Sequence, residues 1–325
     1  MPTTRNPRRG SMQFWPRKRA KRPYARIREY SRDKKECSLL GFAGYKVGMV
    51  QLTAMDNRPT SMTKGEEIII PATIIECPPI RIASIRFYKN TSNGLNVVTE
   101  IFVGNEKELE KKIKLSKKSS ETKIKEIEGK LNDFNDIRAI VYTKPGMTGI
   151  GKKKPEVFET MLSGDNNSKF AYLKERIGKD IAVDNIIKEG QTVDLHAITK
   201  GKGIQGPVKR FGVAIRSHKS EKTKRGPGSL SDWCSQGQIM YRVAHAGQMG
   251  YHQRTEYNKL VLKIGKDSIN TKHGFEHYGM IKNPYIMIIG SVAGSNKRLI
   301  RINHPIREKK KLPEGALQVK NILSK

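Results

Sequence analysis

Cysteine is scarce. Cys37, Cys77 and Cys234 are an odd number with no CxxC pair among them, which excludes a disulfide framework and a zinc ribbon and leaves three reduced side chains with packing roles. Long apolar runs are missing too. No stretch approaches the ~20 consecutive apolar residues that a membrane-spanning helix needs, and the longest candidate, Pro284 to Gly294, is broken by glycine. The basic N-terminus MPTTRNPRRGSMQFWPRKRAKRP has no apolar core behind it and does not read as a secretory leader. These features point to a cytosol-like compartment and no membrane partner. Acidic residues are the third shortage: 31 Asp and Glu face 63 Lys and Arg, a net charge of +32. Self-repulsion of that size calls for a polyanionic partner.

What is present is unevenly spread. Residues 1–35 hold 13 Lys and Arg against Glu29 and Asp33, residues 200–225 hold nine against Glu221, and residues 297–325 hold nine against Glu308 and Glu314. These segments carry +26 of the charge, so the rest of the chain is an almost ordinary globule, and its 325 residues suggest about two units. The first segment mixes Pro and Arg with Phe14, Trp15 and Tyr24 and lacks the periodicity of a self-sufficient core, so it is expected to be unstructured alone. Fully extended it would reach about 115 Å, far enough to thread into a partner.

From Leu39 onward, short β-branched and aliphatic runs bounded by Gly, Pro and Asn predict strands. They fall near 45–53, 66–76, 80–88, 97–103, 137–143, 192–199, 259–265, 284–290 and 298–302. Val193, Leu195 and Ala197 alternate with Asp194 and His196, the period of a strand. Many short strands point to an antiparallel barrel. Between Asn105 and Phe134, Leu109, Ile113, Ile124, Ile127 and Leu131 follow helical spacing, and two further helices are expected over Pro155–Leu162 and Phe170–Ile177. Together these helices read as an α/β insertion in a mainly β fold.

Several motifs tempt and fail. Gly146 to Lys152 matches GxxxxGK after a strand, but Lys153 stands where a magnesium-binding hydroxyl belongs and Pro155 follows closely. Gly201, Gly203 and Gly206 match GxGxxG, yet Pro207, Lys209, Arg210 and Arg216 follow where a dinucleotide site needs a helix and then an acid. Such glycines more plausibly allow close backbone approach, with lysines supplying charge. His273 and His277 lack a third ligand. No metal, cofactor, small-molecule substrate or catalytic constellation is expected.

Residues 200–258 are the most unusual stretch, poor in apolar residues and rich in Gly, His, Gln, Ser and cations. Their length suggests a two-armed excursion from the globule, with Trp233, Gln236, Gln238 and Tyr241 near its tip. Basic arms with an aromatic tip suit folded RNA, whose phosphates and 2′-hydroxyls accept hydrogen bonds and whose splayed bases stack. Candidate contacts in the N-terminal segment are Arg8, Arg9, Trp15, Arg17, Lys18, Arg19, Lys21 and Arg22. Those entering the excursion are Lys200, Lys202, Lys209, Arg210, Arg216, His218 and Lys219. Lys222, Lys224, Arg225, Arg242, His245, Gln248, His252 and Arg254 complete the set. A DNA-packaging protein would need only exposed cations and has no evident use for the long loop. An RNA-modifying enzyme would need the cofactor or metal site that the motifs do not supply.

Asp194, Ala197, Thr199, Gly201, Lys202, Gly203, Gly206 and Arg210, with GYKVGM at 44–49, PATIIECPP at 71–79 and RVAHAGQMGYHQRT at 242–255, resemble the large-subunit ribosomal protein L-three family, its archaeal branch most closely. Ile187 stands where the family pattern begins with Phe or Leu, a mild departure. The resemblance implies a closed antiparallel β-barrel of the translation-protein type, with a long basic N-terminal extension and a central finger loop. It divides the chain into an N-terminal extension at 1–37, barrel parts at 38–103, 178–204 and 259–303, an α/β insertion at 104–177, a finger at 205–258 and a basic tail at 304–325. It also implies binding to 23S-type rRNA near its 3′ domain, neighbouring large-subunit proteins as partners, an early role in subunit assembly and a finger directed toward the peptidyl transferase centre. Tyr241 is the position that resembles the family's finger-tip aromatic, with Trp233 shortly before it.

Overall fold

A computed structural model describes residues 9–31, 36–58, 60–102, 107–114, 121–228, 230, 237, 239–308 and 317–323. The chain divides into two compact units: residues 24–197 with 255–325, and residues 1–23 with 198–254.

The larger unit is built on two sheets. Its first six strands are β1 (Gly41–Met55), β2 (Glu67–Glu76), β3 (Ile80–Thr91), β4 (Gly94–Phe102), β5 (Asp136–Thr143) and β6 (Val157–Met161). β7 (Thr192–Ile198) follows. Two short pieces, β8 (Ile204–Gln205) and β9 (Gly247–Gln248), belong to the smaller unit. The remaining strands are β10 (Gln253–Gly265), β11 (Tyr285–Ile289), β12 (Leu299–Asn303) and β13 (Val319–Leu323). The first sheet runs β12-β7-β10-β11-β2-β1-β13, and β1 also pairs with β12, so six strands form a ring of pairings. Strand β1 makes this possible by its length: Gly41–Tyr45 pair with β12, while Gln51–Ala54 pair with β13. Its opposite edge pairs with β2 from Tyr45 to Met55. Phe42, Tyr45, Ile74, Ile75, Leu195 and Ile286 share one buried cluster. Among the buried polar groups of this sheet, Glu76 is satisfied from several sides. Glu76 accepts from the Tyr278 hydroxyl, from the Lys282 and Asn283 amides at 2.9 Å each and from Asn283 Nδ2 at 2.7 Å. Cys77 is buried and unpaired, and burial raises its thiol pKa.

The second sheet has the order β4-β3-β5-β6. Helix α1 (Lys107–Glu110) carries buried Leu109, and α2 (Glu121–Glu128) contributes Ile127 to the core. Over one sheet face, Phe87 meets Phe134 at 5.0 Å and Phe170 of α3 (Asn166–Glu175) at 6.0 Å between ring centroids. Among the described residues of 105–134, the helical spacing appears as two short helices and a 3₁₀ turn at Leu131–Asp133. The helix expected over Pro155–Leu162 is corrected to strand β6. Val157 and Met161, or Phe158 and Leu162, fit helical spacing, but a run this short fits a period of two equally well. Pairing with β5 decides it, with Phe158 and Thr160 buried. β13 was not expected, because Val319, Ile322 and Leu323 are dispersed among polar residues of the basic tail.

Among its described residues the smaller unit has little regular structure. Beyond β8 and β9 it holds a 3₁₀ turn at Met12–Phe14 and α4 (Pro207–Phe211). A helix thus does open after the GxGxxG match, contrary to the sequence reading. It begins with Pro207 at its first position and stops after five residues at Gly212, whose φ of 68° and ψ of 30° form a left-handed cap. The described part of the N-terminal segment is likewise not a separate tail: residues 9–23 belong to this unit, because their partners lie nearly 200 residues away and are invisible to local periodicity.

Candidate nucleic-acid interface

The smaller unit is held together by a few inward-facing side chains. Phe211 is buried and stacks on Trp15, with centroids 5.8 Å apart and 30° between planes. The Arg17 guanidinium lies 4.2 Å from the Phe211 centroid and that of Arg210 5.0 Å from it, a cation–π arrangement. Arg17 Nη1 donates to the Arg210 carbonyl at 2.8 Å. Arg210 itself donates through Nε to the Gln248 carbonyl at 3.0 Å and through Nη1 to the His245 carbonyl at 2.9 Å. Desolvation lowers its pKa, and the carbonyls it touches are neutral acceptors.

A backbone ladder supplies the rest. Ile204 and Gln205 pair with Gln248 and Gly247. The Lys202 amide donates to Met249, the Met249 amide to Gly203 and the Ala20 amide to Tyr251. The Thr199 amide donates to the His252 carbonyl, and Thr199 Oγ1 accepts from the His252 amide. His252 Nδ1 lies 2.8 Å from the Lys18 carbonyl; a carbonyl can only accept, so Nδ1 carries the proton. Burial lowers this imidazole's pKa. Gly250 adopts φ +70°, and a Cβ there would sit 2.1 Å from the Lys200 carbonyl oxygen. The close backbone approach is thus made by Gly250, whereas a Cβ would meet nothing within 4 Å at Gly203 or Gly206 and only ordinary contact with Tyr251 at Gly201, so the approach expected of the GxGxxG glycines is not theirs.

Against this frame the predicted contacts separate into two groups. Arg9, Lys18, Arg19, Lys21, Arg22, Lys200, Lys202 and Lys209 are exposed. So are Arg216, His218, Lys219, Lys222, Lys224, Arg225 and Arg242. Trp15, Arg17, Arg210, His245, Gln248 and Arg254 are half-buried, and His252 is buried. Gln248 Nε2 donates to the Met249 and Gly250 carbonyls, and Arg254 lies 4.9 Å from the Phe14 centroid. Tyr241 is 72% exposed while its ring meets Trp15 edge-on at 5.6 Å. Arg8, Trp233, Gln236 and Gln238 lie outside the described residues. Sequence reasoning did not single out Phe211, which closes the short helix α4 beside Arg210 and carries no local sign that it anchors the N-terminal segment.

Arithmetic sets the electrostatics of this unit. It holds 19 Lys and Arg, and its only acids are Glu221 and Asp232, a net +17 in 80 residues. Few of its cations can be neutralised by its own carboxylates.

In the larger unit, Asp194 accepts from the Asn258 amide at 2.8 Å and from the Ile306 amide at 3.0 Å, while burial raises its pKa. His196 shares a 2.9 Å hydrogen bond with Thr255 Oγ1, and burial followed by the nearby Arg301 charge pushes its pKa down to about 4. Lys152 of the GxxxxGK match pairs with buried Glu156, which also accepts from the Tyr45 hydroxyl at 2.7 Å. That lysine serves an internal carboxylate, and strand β6 follows where a P-loop has a helix.

The smaller unit thus carries a basic, internally scaffolded surface, and comparison with known proteins gives the class of protein to which the chain belongs. Residues 1–322 match the family described as Ribosomal protein L3. The chain is 43% identical to the large ribosomal subunit protein uL3 of Methanocaldococcus jannaschii, covering 95% of this chain and 94% of that one. It is 43% identical to the uL3 of Methanosphaera stadtmanae over 94% and 93% of the two chains, and 42% identical to that of Methanopyrus kandleri over 96% and 89%. The chain belongs to the ribosomal protein L3 family. It is a structural constituent of the large ribosomal subunit in translation, and not an enzyme.

Proposed function

We propose that this chain binds 23S-type rRNA directly near its 3′ domain in the cytoplasmic large subunit, and that it does so early in assembly. Residues 205–258, with the N-terminal segment alongside in the same unit, reach toward the peptidyl transferase centre. The ring of six strands is read as the closed β-barrel of the translation-protein type, and neighbouring large-subunit proteins abut it. The observation that carries this reading is the smaller unit's charge: 19 cations against two acids, with most of the predicted contacts exposed. Phosphate is the anion that folded RNA supplies at matching density.

Within that surface the roles differ. Exposed cations such as Lys219, Lys222 and Lys224 meet phosphates, whereas Arg17, Arg210 and His252 hold the unit's shape. Tyr241, exposed yet edge-on to Trp15, is placed to stack on a base, a contact of about 1 to 3 kcal/mol. The test is binding of the full chain to transcripts of separate 23S rRNA domains. Preference for the 3′ domain supports the reading, and equal affinity for every domain contradicts it. Tyr241→Ala is expected to enter large subunits at normal occupancy and to slow peptide transfer; normal rates at full occupancy would remove the finger from the account.

A further inference from the structure

The second sheet of the larger unit has two unlike edges. Strand β6 is closed. Its Val157, Glu159 and Met161 carbonyls, the outward row of alternate residues, accept from the Tyr24 hydroxyl at 2.9 Å, the Tyr30 hydroxyl at 3.0 Å and the Leu40 amide at 3.0 Å. Arg301 Nη2 adds a second donor to Glu159 at 3.0 Å. Strand β4 pairs with β3 on one side and, among the described residues, with no strand on the other. Leu95, Val97 and Val98 on it are 40%, 46% and 54% exposed. Its sequence GLNVVTEIF has a single charge, Glu100, and that is engaged by Arg86 Nε at 2.8 Å and the Ser84 hydroxyl.

Open edges in soluble proteins are guarded by lysine, proline, inward charges or bulges; β4 has no lysine or proline, its one charge is engaged by β3, and a bulge is its one guard. Its one irregularity is a register shift between Val97 and Thr99 that places Val98 in a bulge. A chain with 63 Lys and Arg leaves this nine-residue strand without one, so the edge has nothing with which to hold phosphate. What it offers instead, among the described residues, is an edge that no strand pairs with and that carries exposed apolar side chains, the requirement for strand addition. We propose that β4 receives an extended, uncharged segment of a neighbouring ribosomal protein as a fifth strand, in register with Leu95 to Val98. The proposal rests on the ribosomal reading above.

The test places the photo-cross-linker benzoylphenylalanine at position 97 of the full chain, with a control at Met62, which is fully exposed in a loop, and isolates large subunits containing each. The expected result is an adduct from position 97, and not from 62, to one ribosomal protein, resistant to ribonuclease and mapping to a single extended peptide. Amide deuterium exchange across residues 95–98 is expected to be about tenfold slower in the subunit than in the free protein. A ribonuclease-sensitive adduct, a dimer of this chain, or unchanged exchange at normal occupancy overturns the proposal alone. Absence of the unsubstituted chain from large subunits overturns the ribosomal reading and this proposal with it.

Discussion

Residues 1–23 and 198–254 carry 19 Lys and Arg against two acids, whereas residues 24–197 and 255–325 carry 44 against 29. The larger unit neutralises much of its charge internally. Arg138 meets Asp136 and Glu159 at 2.9 Å each, Lys169 meets Asp136 at 2.8 Å, and Lys144 meets Asp180 at 2.7 Å. The smaller unit lacks the carboxylates to do the same. Among its described residues it relies on the Trp15–Phe211 stack, guanidinium-to-carbonyl bonds and a short ladder. The comparison teaches that one unit balances much of its charge from within, while the other carries a positive charge that its own carboxylates cannot balance, as the proposed function requires.

The sharpest way to separate the units is to damage one. Gly250→Val combines a left-handed φ with a Cβ driven into the Lys200 carbonyl, a cost of roughly 3 kcal/mol or more. Limited proteolysis is expected to open residues 198–254 while the melting of the larger unit stays unchanged; loss of both together would mean that the units are not independent.

Acid should strike the larger unit first. Its His196 is held near pKa 4 when folded and returns to about 6.5 when unfolded. Between those values the unfolded chain binds the extra proton, so stability is full above pH 6.5 and falls as pH drops toward 4, by at most about 3 kcal/mol. Denaturant titrations of wild type and His196→Gln over that range should show the slope flatten in the variant. A slope that persists unchanged would assign the acid sensitivity to other groups. The smallest effect is expected from Tyr241→Ala, about 1 kcal/mol or less in the free protein, because the lost edge-on contact with Trp15 is an exposed one. A larger loss would make Tyr241 part of the smaller unit's frame.

Much of the larger unit was legible because its strands keep their period. Val193, Leu195 and Ala197 marked β7, and β-branched runs marked β1, β2, β3, β5 and β11. β6 was misread, since five residues cannot distinguish two periods, and β13 was missed because its order comes from pairing with β1. At the candidate site the cations were legible by composition, and their sorting was not. Lys209 and Arg210 are neighbours, yet one is exposed and the other reaches the His245 and Gln248 carbonyls. Such sorting depends on contacts 35 and more residues away, as does the stacking of Trp15 on Phe211.

The central claim, that the smaller unit is the one completed by RNA, is tested most directly by the salt dependence of binding to a 23S rRNA 3′-domain transcript. Replacing Lys219, Lys222, Lys224 and Arg225 by glutamine should flatten the log–log slope by about 3. Replacing Lys174, Lys266 and Lys320, which pair with Glu128, Asp184 and Glu67 in the larger unit, should leave it unchanged. Equal flattening by both sets, or flattening by the second alone, would contradict the account.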